Sequence, residues 1–397
     1  MHLLRCDIAV VGAGPAGSMA AKAAAELGAN VILMEEHPEV GLPISCAEGL
    51  SLNGLKDAGV EPTSDIVSQR ITKIRVFSPS KNYLELTSED WVGYTINRDR
   101  FDHMLSEIAV ESGAELMTNT KAMKVLKKNG VASGVQAKHG DENLEIKAKI
   151  VIGADGYAST VRRSAGLGRW YRDIVTCAQY RLGNLSLDEP EINEFHLGSE
   201  VAPGGYAWVF PKSKEVANVG LGVRRIHKES PIMYLRRFVD ADPRFREAEV
   251  LMINGGITPV SGVIDKVVDD GLMLVGDAAG QLIPMTGAGV HTGVVAGRIA
   301  GEVAAKAVHE GDLTASRLSD YERRFNASWG KRIRDSRKVV EMLDRFSDED
   351  LNTFAEVLTG NDVVALANGI DVAKTLAGLV KRSPLKIIRL IGSYITG

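Results

Sequence analysis

The sequence predicts an α/β protein: a Rossmann-like nucleotide-binding domain, an inserted β-rich domain built on an antiparallel sheet, and a C-terminal helical region. Three observations predict this arrangement. A short apolar strand, a glycine-rich turn and an alanine-rich helix open the chain at residues 6–27. Strands with a period of about two follow one another between residues 174 and 223, which is typical of an antiparallel sheet. Residues 314–397 have a mostly helical pattern.

The elements of the first half follow from local patterns. Apolar runs that end at glycine predict buried strands, and Gly28 ends the first helix. A Lys-Asn-Gly turn at Lys128 predicts a hairpin. In order, we predict strands at 6–11, 30–34, 71–77, 83–87, 122–126, 131–137 and 150–152, with helices at 16–27 and 98–113.

The second half continues this pattern through the inserted sheet and back to the parallel one. The predicted strands are 176–182, 192–197, 206–210, 216–223 and 272–275, and a long helix follows at 289–309. We also predict an apolar helix at 363–373.

Composition limits the classes of function. The chain has 397 residues, with 45% hydrophobic and 25% charged residues, as in ordinary globular proteins of two or three domains. A net charge of −4 gives no general attraction to nucleic acid. The three cysteines form neither a disulfide framework nor a metal-binding pattern. With no signal peptide and no membrane-spanning run, we expect a cytoplasmic protein that can still lie on a membrane surface.

The first glycine-rich segment is Gly12-Ala13-Gly14-Pro15-Ala16-Gly17. The first glycine permits a tight turn, the second lets the backbone approach a diphosphate, and the third lets helix and strand pack closely. A carboxylate at the end of the next strand can accept hydrogen bonds from ribose hydroxyls. Glu35 is our choice for this role and Glu36 the substitute. Alone, the segment also fits a tight turn in another α/β protein.

Two more segments strengthen the prediction. Gly153-Ala154-Asp155-Gly156 runs on to Ser159 and Arg162, and Gly276-Asp277-Ala278-Ala279-Gly280 follows a buried strand. The Asp277 carboxylate can accept from a ribityl hydroxyl, and the helix that opens at Gly287-Ala288-Gly289 can face a flavin ring. Together the three segments predict non-covalently bound FAD. Arg100 and Arg162 fit the phosphates or internal ion pairs equally well.

This set of motifs, with Arg98-x-Arg100 and Leu105, resembles the para-hydroxybenzoate-hydroxylase-like flavoproteins over residues 1–310. That superfamily contains aromatic hydroxylases, halogenases and reductases of isoprenoid chains. Two further segments, residues 41–49 around Cys46 and residues 204–211 with Tyr206 and Trp208, resemble the geranylgeranyl reductase family, most of all its archaeal enzymes that saturate ether lipids.

The resemblance implies a discontinuous FAD-binding domain at 1–70, 97–170 and 257–312, a substrate domain at 71–96 and 171–256, and a helical region at 313–397. It implies Cys46, Tyr206 and Trp208 as catalytic residues, and Tyr206, Trp208 and Asn368 at the substrate. The implied FAD-binding residues are Gly12, Gly14, Pro15, Ala16, Gly17, Glu35, Glu36, Cys46, Ala47, Gly49, Arg100, Ala122, Asp155, Gly156, Asp277, Gly287, Gly289 and Val290.

The implied reaction saturates isolated C=C bonds of an isoprenoid lipid. FAD gives a hydride to one carbon and a proton reaches the other, from Cys46 or a bound water. Tyr206 and Trp208 either stabilise cationic character by cation–π attraction or simply shape the pocket. Cys46 is equally well a small buried hydrophobe. Because no second dinucleotide motif is present, the electron donor is open between a ferredoxin, NAD(P)H and another reductant.

Residues after Asp371 contain no acid but five cations among apolar residues, which fits an anionic lipid surface or a helix packed on the body. These cations are Lys374, Lys381, Arg382, Lys386 and Arg389.

Two other functions stay open. A flavin monooxygenase or halogenase uses the same cradle, although Lys73 and Lys81 lie in no halogenase motif. A non-catalytic prenyl-binding chaperone shares the fold.

Overall fold

The computed structural model describes residues 2–87, 92–168, 171–224, 229–388 and 390. Its helices are α1 (Pro15–Glu26), α2 (Leu52–Ala58), α3 (Arg98–Glu111), α4 (Thr160–Ala165), α5 (Pro231–Ala241), α6 (Val290–Glu310), α7 (Ala315–Phe325), α8 (Lys331–Leu343), α9 (Asp348–Ala355), α10 (Gly360–Ala367) and α11 (Val372–Arg382).

The strands fall into four sheets. They are β1 (His2–Arg5), β2 (Ile8–Val11), β3 (Val31–Met34), β4 (Gly49–Ser51), β5 (Val67–Ile71), β6 (Lys73–Phe77), β7 (Tyr83–Thr87), β8 (Gly93–Ile96), β9 (Glu115–Met117), β10 (Thr120–Lys128), β11 (Val131–His139), β12 (Glu142–Lys147), β13 (Ile150–Gly153), β14 (Ile174–Gly183), β15 (Ile192–His196), β16 (Tyr206–Pro211), β17 (Ala217–Arg224), β18 (Glu249–Pro259), β19 (Val268–Asp269) and β20 (Leu272–Leu274).

A six-stranded sheet in the order β19-β20-β13-β2-β3-β9 carries the glycine-rich segments. The strands β20, β13, β2, β3 and β9 are parallel, so their carboxyl ends meet at one edge. The segments that begin at Gly12, Ala154 and Gly276 follow β2, β13 and β20 at that edge. The chain therefore brings three motifs that are far apart in sequence to neighbouring positions.

Helices α1 and α6 pack together on this sheet, and a second sheet in the order β1-β12-β11-β10 shares the same apolar core. The helices approach closely because α6 presents glycine: a Cβ at Gly297 would lie 2.0 Å from the carbonyl oxygen of Ala16. The predicted hairpin is confirmed as β10 and β11, with Asn129 and Gly130 at φ of 53° and 87°.

The seven-stranded sheet has the order β18-β14-β17-β16-β15-β6-β7, antiparallel except for the β15/β6 pair. One face packs under α5, and the other bears Cys177, Gln179 and Trp208. The predicted strands of the inserted domain are confirmed. A third, small sheet pairs β8 with β4 and β5.

Two details differ from the predicted boundaries. Residues 93–96 join this small sheet rather than the seven-stranded one, and β18 continues to Pro259, beyond residue 256. The domain limits therefore stay a prediction.

The C-terminal helices α8 to α11 pack around their own apolar cluster. The prediction of one helix at 363–373 is wrong, because α10 ends at Ala367 and α11 begins at Val372. Gly369 makes the break, with φ of +65°, and a Cβ there would lie 1.9 Å from the carbonyl oxygen of Arg332. Within the described part of the chain, no helix has the length and apolar composition to cross a bilayer.

Candidate active site

The first glycine-rich segment leaves open space where the sequence predicts a diphosphate. A Cβ at Gly12 would lie 2.5 Å from the Ala154 carbonyl oxygen, and one at Gly17 would lie 1.8 Å from the Gly12 carbonyl oxygen. A Cβ at Gly14 would meet no atom within 4 Å. The start of α1 has no side-chain cap, so its N–H groups are available to a phosphate. These residues fit the cofactor's diphosphate.

Glu35, rather than Glu36, lies against this segment. Its carboxylate accepts a hydrogen bond from the Ala13 N–H at 3.0 Å and lies 2.6 Å from His37 Nδ1. Glu36 pairs with Lys121 at 2.8 Å and keeps 47% of its side chain exposed. Position thus favours Glu35 for a ribose contact.

Asp155 makes its hydrogen bonds within the protein. Its carboxylate accepts hydrogen bonds from Ser159 Oγ at 2.5 Å and from the Val161 N–H at 2.9 Å, and so caps the start of α4. Burial raises its pKa, against these hydrogen bonds. This geometry supports the turn; a direct contact of Asp155 with FAD stays a prediction.

Arg162 ties the second and third segments together. The guanidinium is buried, donates to the carbonyl oxygens of Ala278 and Tyr157, and lies 4.2 Å from the centre of the Tyr171 ring. Tyr171 in turn donates to the Asp277 carbonyl oxygen at 2.5 Å. The structure therefore supports the internal role of Arg162 that the sequence left open.

The Asp277 carboxylate faces the large cavity and accepts no hydrogen bond from any described residue. Its Oδ1 lies so close to Gly289 that a Cβ there would be 3.0 Å away. Burial raises the pKa of Asp277 to about 6, although Arg98 opposes this shift. A half-buried acceptor with no donor among the described residues fits a hydroxyl of the ribityl chain.

One cavity of about 1310 Å³ joins these segments to the face of the seven-stranded sheet. It is lined by many of the predicted site residues: Gly14, Pro15, Ala16, Cys46, Ala47, Gly49, Gly156, Tyr206, Trp208, Asp277, Gly287, Gly289, Val290 and Asn368. Seven others do not line it: Gly12, Gly17, Glu35, Glu36, Arg100, Ala122 and Asp155. Arg100 keeps 62% of its side chain exposed, so its phosphate contact stays a prediction.

Cys46 lies in the cavity wall beside one hydrogen-bond donor and one cationic group. The Glu48 N–H donates to Sγ at 3.2 Å, and the Arg98 guanidinium also interacts with the thiol. Asp102 accepts two hydrogen bonds from Arg98, at 2.8 and 2.7 Å, and holds it in place. The sequence predicts Arg100 as a phosphate ligand, whereas Arg98, the first member of the same motif, is the arginine that lines the cavity beside Cys46.

Glu48 anchors the Cys46 loop from behind. Its fully buried carboxylate accepts from Arg181, from Lys212 Nζ at 3.1 Å and from Asn218 Nδ2 at 2.6 Å. Burial acts to raise the pKa of Glu48, but Lys212 and Arg181 outweigh it and hold the pKa below its usual range. No local pattern indicates this role, because the three side chains that donate to Glu48 lie 133, 164 and 170 positions away.

The predicted aromatic pair is on the cavity face, with ring centres 6.0 Å apart. Tyr206 donates to the Thr286 carbonyl oxygen at 2.5 Å, in the loop before α6. Trp208 Nε1 donates to Gln179 Oε1 at 2.8 Å, and Gln179 Nε2 donates to the Cys46 carbonyl oxygen at 3.0 Å. The sheet thus positions both the aromatic rings and the Cys46 loop.

A further part of the cavity is lined mainly by apolar side chains. Strands β6 and β7 and helices α8 to α10 contribute to this part. The side chains include Ile74, Val76, Leu84, Leu86, Val339, Leu343, Phe354, Leu358 and Val363. Such a compartment fits a long hydrocarbon chain.

Comparison with known proteins agrees with this geometry. A domain described as the geranylgeranyl reductase catalytic domain matches residues 173–258, and FAD dependent oxidoreductase matches residues 7–170. A digeranylgeranylglycerophospholipid reductase from Methanothrix thermoacetophila is 41% identical, over 96% of this chain and 97% of the relative. The chain belongs to the geranylgeranyl reductase family. It is an FAD-dependent oxidoreductase.

Solved structures agree with this family membership. A geranylgeranyl bacteriochlorophyll reductase-like protein from Thermoplasma acidophilum superposes with a TM-score of 0.89 and 32% identity, covering 98% of this chain and 100% of that one. A flavin-dependent brominase superposes with a TM-score of 0.72 at 20% identity, covering 92% of this chain and 94% of that one. The second likeness shows the fold alone.

Proposed function

We propose that this protein saturates isolated C=C bonds in the geranylgeranyl chains of a glycerophospholipid. The single observation that carries the proposal is the cavity of about 1310 Å³, which is continuous from the predicted flavin site to an apolar compartment under the C-terminal helices. Relatives named digeranylgeranylglycerophospholipid reductase give the lipid class. FAD, when bound and reduced, supplies the hydride of this chemistry.

The side chains around Cys46 can deliver the proton. The thiol gives its proton to one alkene carbon, and Arg98 together with the Glu48 N–H stabilises the thiolate that remains. The other carbon gains cationic character before it accepts the hydride. The faces of Tyr206 and Trp208 stabilise that charge by about 0.5–2 kcal/mol through cation–π attraction. A proton from solvent then restores the thiol.

The test uses dithionite-reduced protein with digeranylgeranylglycerol phosphate and, separately, geranylgeranyl diphosphate. Mass spectrometry should show products heavier by two hydrogens per bond reduced. Oxygen consumption with aromatic substrates, and no reduced lipid, would favour a monooxygenase or halogenase. A colourless protein that binds the lipid but no FAD would favour a prenyl-binding chaperone.

Cys46→Ala tests the proton donor. We expect this variant to keep its flavin absorbance and to lose most reductase activity, whereas Cys6→Ala, outside the cavity, should retain both. Full activity in Cys46→Ala would remove the thiol from the mechanism and leave a bound water as the donor.

The C-terminal segment supports peripheral contact with an anionic membrane. Leu385 and Ile388 are 82% and 63% exposed beside the exposed Lys381, while Arg382 and Lys386 pair with acids of the helical region. Predicted residues Arg389 and Ile391 lie outside the described residues. Co-sedimentation with anionic vesicles should fall when Leu385 is replaced by Ser; equal binding to neutral vesicles would contradict the proposal.

The proposed reaction also needs an electron donor that reduces FAD. A ferredoxin, NAD(P)H and a small reductant each remain a candidate, and anaerobic flavin bleaching by each donor in turn separates them.

A further inference from the structure

Five described side chains from four segments surround one opening of the cavity. Asn53 is exposed on α2, and His291 lies in the first turn of α6. Trp329 precedes α8, Arg332 lies in the first turn of α8, and Asn368 follows α10. All five line the same cavity that reaches the predicted flavin site. Because Asn53 is exposed, the cavity meets solvent at this point.

Arg332 is half-buried in this opening and has no acidic partner among the described residues. Its guanidinium lies 4.2 Å from the centre of the Trp329 ring, and Nε donates to the Asn368 carbonyl oxygen at 3.2 Å. The two other arginines that line the cavity differ: Arg98 pairs with an aspartate and Arg224 with two. The terminal nitrogens of Arg332 donate to no described residue.

The acid that contacts His291 is already engaged. Asp57 lies 2.6 Å from His291 Nε2 and 4.0 Å from Arg298. The neighbouring Lys331 pairs with Asp335. No acid among the described residues therefore compensates the positive charge of Arg332, which Trp329 and Asn368 hold in place.

We propose that Arg332 binds the phosphate group of the lipid substrate at this opening. This inference rests on the function proposed above and adds the residue that recognises the headgroup. A planar guanidinium with free terminal N–H groups matches phosphate oxygens, and partial burial strengthens such a charge-assisted bond. The apolar compartment beside it receives the chains, so headgroup and chains occupy one continuous cavity.

The test compares two lipids that differ in charge alone: digeranylgeranylglycerol phosphate and uncharged digeranylgeranylglycerol. In Arg332→Gln we expect KM for the phosphate to rise roughly tenfold or more, with kcat and flavin content unchanged and KM for the neutral lipid unchanged. Arg332→Lys should recover part of the loss. Arg334→Gln, an exposed arginine on the same helix and outside the cavity, is the matched control.

A second measurement does not need turnover. Calorimetric titration of oxidised protein with the fully saturated diether phosphate in detergent should show the same loss of affinity in Arg332→Gln. If wild-type protein reduces neither lipid, the proposed function is wrong. The titration still tests whether Arg332 binds the phosphate group.

Three results would overturn the inference. The first is an equal rise in KM for both lipids in Arg332→Gln. The second is loss of flavin from this variant, which would show that Arg332 binds the phosphates of FAD. The third is a change of KM only for a nicotinamide reductant. An equal rise in KM in Arg334→Gln would show that the effect comes from the general surface charge and not from Arg332.

Discussion

Replacing Asp277 by Asn should stabilise the apoprotein and weaken its hold on FAD. The carboxylate faces the cavity and accepts no hydrogen bond from any described residue, and burial raises its pKa to about 6. Because the folded state holds the proton more tightly than the unfolded state, ionisation opposes folding as pH rises from about 4 to about 6. Asparagine removes this penalty, since it carries no charge at any pH.

The magnitude follows from the shift. From the ordinary value of 3.8 to about 6, at about 1.36 kcal/mol per unit, the ionised carboxylate costs the apoprotein about 3 kcal/mol. Asp277 is partly accessible to water through the cavity, so we expect about 1–3 kcal/mol. For the holoprotein the sign reverses. A lost charge-assisted hydrogen bond to a ribityl hydroxyl should weaken FAD binding by about 1.5–3 kcal/mol, or roughly 10- to 150-fold.

The assay is urea unfolding of flavin-free wild type and Asp277→Asn at several pH values, with FAD titration followed by flavin fluorescence. The difference in free energy of unfolding between Asp277→Asn and wild type should be near zero below pH 4 and reach a plateau above pH 6.5. Asp155→Asn is the matched control: its carboxylate caps α4, so this change should destabilise the apoprotein. A gap that does not vary with pH, or FAD affinity equal to wild type, would refute the reasoning.

Three further predictions concern the residues around the site. Glu48→Ala leaves Arg181 and Lys212 buried without their carboxylate, so thermal or urea unfolding should show that the free energy of unfolding falls by about 3–5 kcal/mol. Replacement of the exposed Glu36 by Ala should lower it by less than about 1 kcal/mol. Gly14→Ala should leave apoprotein stability unchanged but reduce FAD affinity more than tenfold, since its methyl group enters open space, whereas Gly17→Ala should lower stability as well. Tyr206→Phe should retain reductase turnover and lose about 1 kcal/mol of stability, because it keeps the ring and loses one hydrogen bond to Thr286; complete loss of turnover would assign chemistry to the hydroxyl.

Local patterns determined the cofactor side of this protein. Glycine at position 12 permits a turn at φ of +97°, and Asn129-Gly130 permits the hairpin turn, so backbone conformation is encoded within a few residues. Parallel strands that each end in such a segment must meet at one edge, which is why the order of the motifs predicted the flavin cradle. Tyr206 and Trp208 share a face because they are two apart on a strand.

The tertiary structure decided which ionisable groups are buried and with whom. Asp155 and Asp277 look alike in sequence, yet packing gives Asp155 two donors and leaves Asp277 facing the cavity with none. Glu48 meets Arg181 across 133 positions of sequence, and Arg332 lacks an acidic partner among the described residues. Burial and charge pairing depend on segments that meet only after folding, so no local pattern carries them.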